Sequence, residues 1–380
     1  MLEGITLIML LAHEQIELQT CAKEFAGREI LPLASDLESC DQLKPSLVKS
    51  LWELGCFNLT VNEEFGGLGL GFVDQSLVLG ELAYACLGVN QVVLSSILAL
   101  NLLNSLGDQQ QKKTFNQSFT DSLAGYDLNL SKTLDLNSLP VNVTAVEKNG
   151  MVEISGTIDY LTNAKVAKYF VVPARLDKTV KLYIIENNPV NIEVTRSYNT
   201  FGKRIHQVSG VQIKNVVIDS SCDLGTLDEK KIESFLTRSN LLYGISLKAA
   251  LNRALDESVT YAQQRHTFGK PIKDHQGVTF MLSDMAKHVN ISESILLNLA
   301  SQIDCFKEDY VYSLNALSFV LQSIEAQALN AVQILGGYGY CKEYKVEKIL
   351  RDIKTSVLEL PRISEINTVI GQNYCQKNIL

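Results

Sequence analysis

Apolar residues recur at three- and four-residue spacing through "EQIELQTCAKEFAGREIL", "KPSLVKSLWELGC" and, over a longer span, "DQSLVLGELAYACLGVNQVVLSSILALNLLNSLG". That period lays the apolar positions along one face of a helix, so the first third of the chain is predicted to be helical, interrupted by the glycine-rich turn "NEEFGGLGLG". From residue 121 the pattern changes. "VNVTAVEKNGMVEISGTIDYLTNA", "AKYFVVPARL", "TVKLYIIE" and "SGVQIKNVVID" are short β-branched and aromatic runs divided by Asn, Gly, Pro and Asp, and they predict strands. Helical periodicity returns in "SNLLYGISLKAALNRALDESVTYAQQR", "VTFMLSDMAKHVNISESILLNLASQI" and "VYSLNALSFVLQSIEAQALNAVQIL". Segments of that length pack as an antiparallel bundle. The chain therefore divides into a helical domain at 1–120, a β domain at 121–225 and a helical bundle at 226–380: mostly α with a central β domain. No internal repeat or low-complexity tract is present.

Composition narrows the partners. The 380 residues carry 42 acidic against 34 basic side chains, a formal charge of −8, with 46% hydrophobic and 20% charged residues. This is ordinary globular composition without the basic field that nucleic acid or an anionic membrane would select. Eight cysteines are scattered without a CxxC pair or a Cys/His cluster, which argues for free thiols and against a zinc site or disulfide framework. The opening "MLEGITLIMLLAHEQ" lacks a basic leader and a small-residue cleavage site, and is expected to lead into the first helix. No run of consecutive apolar residues is long enough for a transmembrane segment, and a cytoplasmic protein is the expectation. None of the five histidines (His13, His206, His266, His275, His288) has a partner spacing that suggests a metal or a triad, so they are read as structural.

Two segments offer chemistry. In "YAQQRHTFGKPI" followed by "DHQGVTFMLSDM", Arg265 and Thr267 stand at a helix end, and Gln276 opens the next helix. A guanidinium and a hydroxyl at such a turn hold a diphosphate well, although a plain helix-terminating turn has the same composition. "QILGGYGY" places Gln333, Gly336 and Gly337 after a long helix. The missing Cβ admits a ligand or another backbone, but a helix C-cap explains the glycines equally.

Taken in order and spacing, "NEEFGGLGLG", "GELAYACLGV", "YLTN", "RALDESVTYAQQRHTFGKPI", "DHQGVTFMLSDM", "QILGGYGY" and "EYKVEKILRDIK" resemble the acyl-CoA dehydrogenase family over nearly the whole chain. The resemblance implies an N-terminal helical domain, a β-barrel-like middle domain, a C-terminal four-helix bundle, bound FAD, and a homo-oligomer, dimer or tetramer, in which one subunit's flavin touches its neighbour. By position, Arg265, Thr267, Phe268 and Gln276 would contact the adenine and diphosphate of FAD. Gln333, Gly336 and Gly337 would reach the same cofactor across the subunit interface. Tyr160 and Thr162 stand where the family's Trp-x-Thr lies against the flavin ring. Asn129, in "YDLNLSKTLDLN", takes the threonine place of the family's flavin and substrate loop, whose glycine and serine positions are not kept.

The family's chemistry needs a carboxylate that removes the α-proton of an acyl thioester while the β-hydrogen leaves as hydride to flavin N5. The enolate charge is met in part by the base residue's own backbone N–H. Counting along "RDIKTSVLELPRISEI" puts the usual base at Leu360 or Pro361, and the alternative place on a bundle helix falls at Ser239 and Asn240, near Arg238. None of these four is acidic. Glu359 is the nearest carboxylate and the candidate base, with a solvated acidic residue as the alternative; a one-residue offset on an unchanged helix would turn it by about 100°, and a local bulge beside Pro361 would swing it back. Glu365 is better placed near the diphosphate end. The implied activity is FAD-dependent α,β-dehydrogenation of an acyl thioester, presented by coenzyme A or a carrier protein, with an electron-transfer flavoprotein or oxygen as acceptor. The alternatives are a catalytically impaired homologue acting as a binding or partner subunit, and a flavin monooxygenase on the same fold.

Overall fold

The computed structural model describes residues 11–40 and 42–377; the expected lead-in at 1–10 lies outside them. Helices α1 (His13–Phe25), α2 (Pro45–Glu53), α3 (Phe72–Ala85), α4 (Leu87–Leu106) and α5 (Gln109–Phe119) come first. The eight main strands follow: β1 (Leu123–Tyr126), β2 (Val143–Lys148), β3 (Met151–Thr162), β4 (Ala167–Leu176), β5 (Thr179–Glu186), β6 (Ile192–Ser197), β7 (Val208–Asp219) and β8 (Asp223–Thr226), with the one-turn helix α6 (Asn129–Lys132) after β1. The bundle is α7 (Glu229–Gln264), α8 (Gln276–Asp304), α9 (Tyr310–Leu335), α10 (Val346–Leu358) and α11 (Ile363–Lys377), with a two-stranded hairpin, β9 (His266–Thr267) and β10 (Lys270–Pro271), between α7 and α8.

The sheet runs β6-β7-β3-β2-β4-β5-β8, with β1 added parallel to β4. Alternation along its strands gives it a core of its own around Ile154, Phe170, Val172, Tyr183 and Ile213, while its other face joins the larger core shared by the N-terminal helices and the bundle. Helix α4 is long and apolar enough to cross a membrane by length and composition, yet 94% of that stretch is buried within the protein, where it packs as a core helix.

Polar contacts fix how the layers meet. The Asp304 carboxylate, at the end of α8, accepts from the N–H groups of Phe72 (2.6 Å) and Val73 (3.0 Å), placing an anion on the N-terminus of α3. Between β1 and β3 the backbones run so close that a Cβ on Gly125 would stand 2.1 Å from the Thr162 carbonyl oxygen, so only glycine fits. The segment before β7 docks on α10. The Gly202 N–H donates to Thr355 Oγ1 (2.8 Å), the Lys203 N–H to Asp352 Oδ1 (2.6 Å), and Arg351 Nη1 to the Phe201 carbonyl (3.1 Å).

Candidate active site

Two clefts gather most of the residues singled out in the sequence. The first, about 400 Å³, is lined by Arg265, Thr267, Gly336 and Gly337, with Tyr261, Tyr338 and Cys341 on its walls. Helix α7 ends at Arg265, whose backbone turns extended, and the hairpin reverses through Phe268 and Gly269, both at positive φ (51° and 79°). Helix α9 ends at Gly336, also at positive φ (57°). A Cβ added to Gly336 or Gly337 would meet no atom within 4 Å, so the space the glycines leave is open. Among the described residues no carboxylate lies within ion-pairing distance of Arg265, while Thr267 Oγ1 shares a hydrogen bond with His275 Nε2 at 3.0 Å. An unneutralised guanidinium beside bare glycine backbone suits a dinucleotide's diphosphate, so this end fits FAD. Phe268, Gln276 and Gln333 lie outside the cleft on the exposed surface, with Phe268 98% exposed.

The second cleft, about 330 Å³, is lined by Leu128, Lys132, Tyr160, Tyr198, Thr200, Val208, Thr355, Leu358 and Glu359. Tyr160 stacks on Tyr198 with centroids 5.5 Å apart, giving the cleft the aromatic wall expected for a flavin ring. Thr162 does not join it. Its hydroxyl accepts from the Tyr126 N–H (3.0 Å) and donates to the Tyr126 carbonyl (3.1 Å), fully buried between β1 and β3. Asn129 opens α6 beside the cleft but is not among its lining residues, and its N–H donates to Asp127 Oδ1 (3.0 Å). Burial pushes the Asp127 carboxyl up to about 7, against the pull of the Asn129 hydrogen bonds.

Glu359 lines this cleft from the end of α10. Leu358 is the last helical residue and is 73% exposed, while Glu359 caps the helix with φ −86° and ψ −1° and is only 7% exposed. Leu360 and Pro361 are buried and hold the exit of the chain. Asp352, Thr355, Ser356 and Glu359 recur at helical spacing and are all buried, so the carboxylate extends the buried face of α10. One family feature is not free here: the Glu359 N–H donates to the Ser356 carbonyl (3.1 Å). Lys132 is the cation lining the cleft.

Neighbours that the sequence did not flag surround the carboxylate. Lys203 Nζ donates to Glu359 Oε2 at 2.5 Å, and His206 Nδ1 lies 3.8 Å from Oε1. Lys203, His206 and Glu359 are all buried. Burial pulls the Lys203 ammonium below its ordinary range, opposed by the charges of Glu359 and Asp352. Burial, and then the Lys203 charge, push His206 well below its usual value, so its ring is neutral at physiological pH, and its Nε2 shares a 2.8 Å hydrogen bond with Ser95 Oγ. The phenols of Tyr126 and Tyr243 stand 3.3 Å apart, both raised by burial, with Tyr126 bonded to Ser131 (2.8 Å). Ser239 donates to Ser131 and Asn240 to Ser313, so the alternative base positions on α7 serve as neutral packing contacts. Glu365 accepts from the Arg362 N–H (3.2 Å) at the start of α11, exposed and outside both clefts.

Comparison with known proteins identifies the family and the fold. The family model for the acyl-CoA dehydrogenase N-terminal domain matches residues 12–121, and that for the acyl-CoA dehydrogenase C-terminal domain matches residues 230–358. An acyl-CoA dehydrogenase of Bacillus subtilis is 29% identical, over 96% of this chain and 99% of its own length. A 3-(aryl)acrylate reductase of Clostridium sporogenes is 27% identical, over 90% and 93%. Butyryl-CoA dehydrogenase from Megasphaera elsdenii shares the fold with a TM-score of 0.88 at 22% identity, covering 96% of this chain and 99% of that one. Glutaryl-CoA dehydrogenase from Mycobacterium smegmatis does so with 0.89 at 20%, over 98% and 96%.

Proposed function

Because the chain belongs to the acyl-CoA dehydrogenase family, whose members are FAD-dependent flavoprotein oxidoreductases, we propose that Glu359 is the base with which it dehydrogenates an acyl thioester between Cα and Cβ. The observation that carries the assignment is the burial of Glu359 at the end of α10, which puts a carboxylate on the wall of a cleft faced by the Tyr160–Tyr198 stack. Arg265, Thr267, Gly336 and Gly337 hold the diphosphate end of FAD, and Tyr160 walls the ring end. When bound, FAD supplies the acceptor for the β-hydrogen and its electron pair. Glu359 Oε1 takes the α-proton, and the electrons of the broken Cα–H bond become the new double bond. Run backwards, the same carboxyl returns a proton to Cα, which is the direction for which the Clostridium sporogenes relative is named.

The reading extends to a thioester carried by coenzyme A or by a carrier protein, an electron-transfer flavoprotein or oxygen as acceptor, a homo-oligomer, and a cytoplasmic setting. Support for the oligomer comes from the exposed Phe268, Gln276 and Gln333, the positions the resemblance assigns to cofactor contacts that a single chain leaves open. The deciding experiment is anaerobic addition of a panel of acyl-CoA and acyl-carrier thioesters to the purified yellow protein. Bleaching of the flavin band by one of them supports the dehydrogenase and names its substrate class. A yellow protein unmoved by every thioester that consumes oxygen with a flavin reductase supports a monooxygenase, and one inert in both assays supports a partner subunit.

A further inference from the structure

The carboxylate that faces the cleft is not alone in its burial. Glu359 Oε2 is bound to Lys203 Nζ at 2.5 Å, while among the described residues Oε1 has no hydrogen-bond partner, its closest basic neighbour being His206 Nδ1 at 3.8 Å. Lys203 reaches this position from a backbone that few lysines adopt. Its φ is +50°, in the left-handed region where a Cβ is crowded, at a cost of order 1 kcal/mol. That conformation is held by two bonds to α10, from the Lys203 N–H to Asp352 and from the Gly202 N–H to Thr355. The fold thus places a cation, under local strain, against one oxygen of the carboxylate and leaves the other bare.

We propose that Lys203 is a positioning residue for the reaction, one that keeps Glu359 ionised in its buried site and orients it so that Oε1 is the oxygen that accepts the α-proton. The inference rests on the reading of Glu359 as the base. A buried carboxylate without a partner takes up a proton and cannot act as a base, whereas a bonded cation favours its charged form. The other groups facing Glu359 do not supply that charge. His206 is neutral, Tyr126 from β1 and Tyr243 from α7 are protonated phenols, and Asp352, on the helix that Glu359 caps, is an anion already bonded to Lys348. Lys132, in the same cleft, is not in contact with the carboxylate.

The test compares the parent holoenzyme with Lys203→Met and Lys203→Arg, using the double variant Lys203→Met/Glu359→Gln as the spectral reference. Removing both partners of a buried pair leaves no lone charge, so the reference is expected to fold even where Lys203→Met does not. Infrared difference spectra against that reference report the protonation of Glu359 directly and without turnover. In the parent, the carboxylate band should persist through neutral pH. In Lys203→Met a protonated carboxyl band should replace it at neutral pH, and the acid limb of thioester-dependent bleaching should move up by about one pH unit or more, a loss of about fivefold at the pH where the parent is half active and about tenfold well below it. Lys203→Arg should restore both. A parent whose Glu359 is already protonated at neutral pH would overturn the proposal, as would a Lys203→Met protein with the parent's carboxylate band and pH profile. Failure of the base assignment looks different: Glu359→Gln would bleach at the parent's rate whatever Lys203 does.

Discussion

Gly202 stands so close to Arg351 that a Cβ on the glycine would lie 2.3 Å from both the carbonyl carbon and the carbonyl oxygen of the arginine. That contact seats the Gly202–Lys203 turn on α10, and both partners are backbone, which cannot swing aside. Gly202→Ala should destabilise the protein by about 3 kcal/mol or more and lower its flavin content with it. Gly88→Ala is the control, because its Cβ would meet chiefly Ile205 Cγ2 at 2.9 Å, a side-chain atom that can shift, and should cost about 1 kcal/mol. Urea unfolding of the two variants beside the parent checks the ranking.

Gly337 has the opposite surroundings: a Cβ added there would find no atom within 4 Å, and its φ lies outside the left-handed region. Gly337→Val should therefore fold with a midpoint near the parent's, yet fill the space beside Arg265 and Thr267. The expected result is a soluble protein that retains at most about a tenth of the parent's FAD after gel filtration, a loss of about 1.4 kcal/mol or more in binding. Flavin absorbance against protein absorbance measures it.

Asp127 makes stability depend on pH with a definite sign. Its carboxyl titrates near 7 in the fold and 3.8 in a free chain, so between those values the folded state holds a proton that the unfolded state has released. The contribution is fully present below the lower value and is lost as pH rises through 7, amounting to roughly 4 kcal/mol. Asp127→Asn keeps an acceptor for the Asn129 N–H without the charge. Its stability relative to the parent should rise between pH 4 and 7 and level off above, as unfolding midpoints across that range would show.

The three-part architecture was legible because each part carries a different period: 3.6 in the outer helices, two in strands such as β2 and β5, and long apolar stripes in the bundle. Arg265, Thr267, Gly336 and Gly337 stood out because they fall in contiguous motifs whose order is distinctive, and the structure brings them to one cleft. Residue type alone did not reveal that Tyr126 engages the Thr162 hydroxyl, across strands brought close by the bare Cα of Gly125. Glu359 stood out as the carboxylate nearest the expected place, and its burial follows from its spacing to Asp352, Thr355 and Ser356 on α10. Lys203 escaped notice and His206 was read as structural because the carboxylate they face is more than 150 residues away, and a lysine between a glycine and an arginine reads as surface.

The account stands on Glu359 as the proton-accepting group, and the most direct test is rapid-mixing absorbance of the flavin after anaerobic addition of the responding thioester to the parent and to Glu359→Gln. The amide keeps the shape of the carboxyl and an oxygen for Lys203, so flavin content should be unchanged. The bleaching rate should fall by about 10² to 10⁴, the usual worth of a general base. A Glu359→Gln protein that holds its FAD and bleaches as fast as the parent would contradict the account.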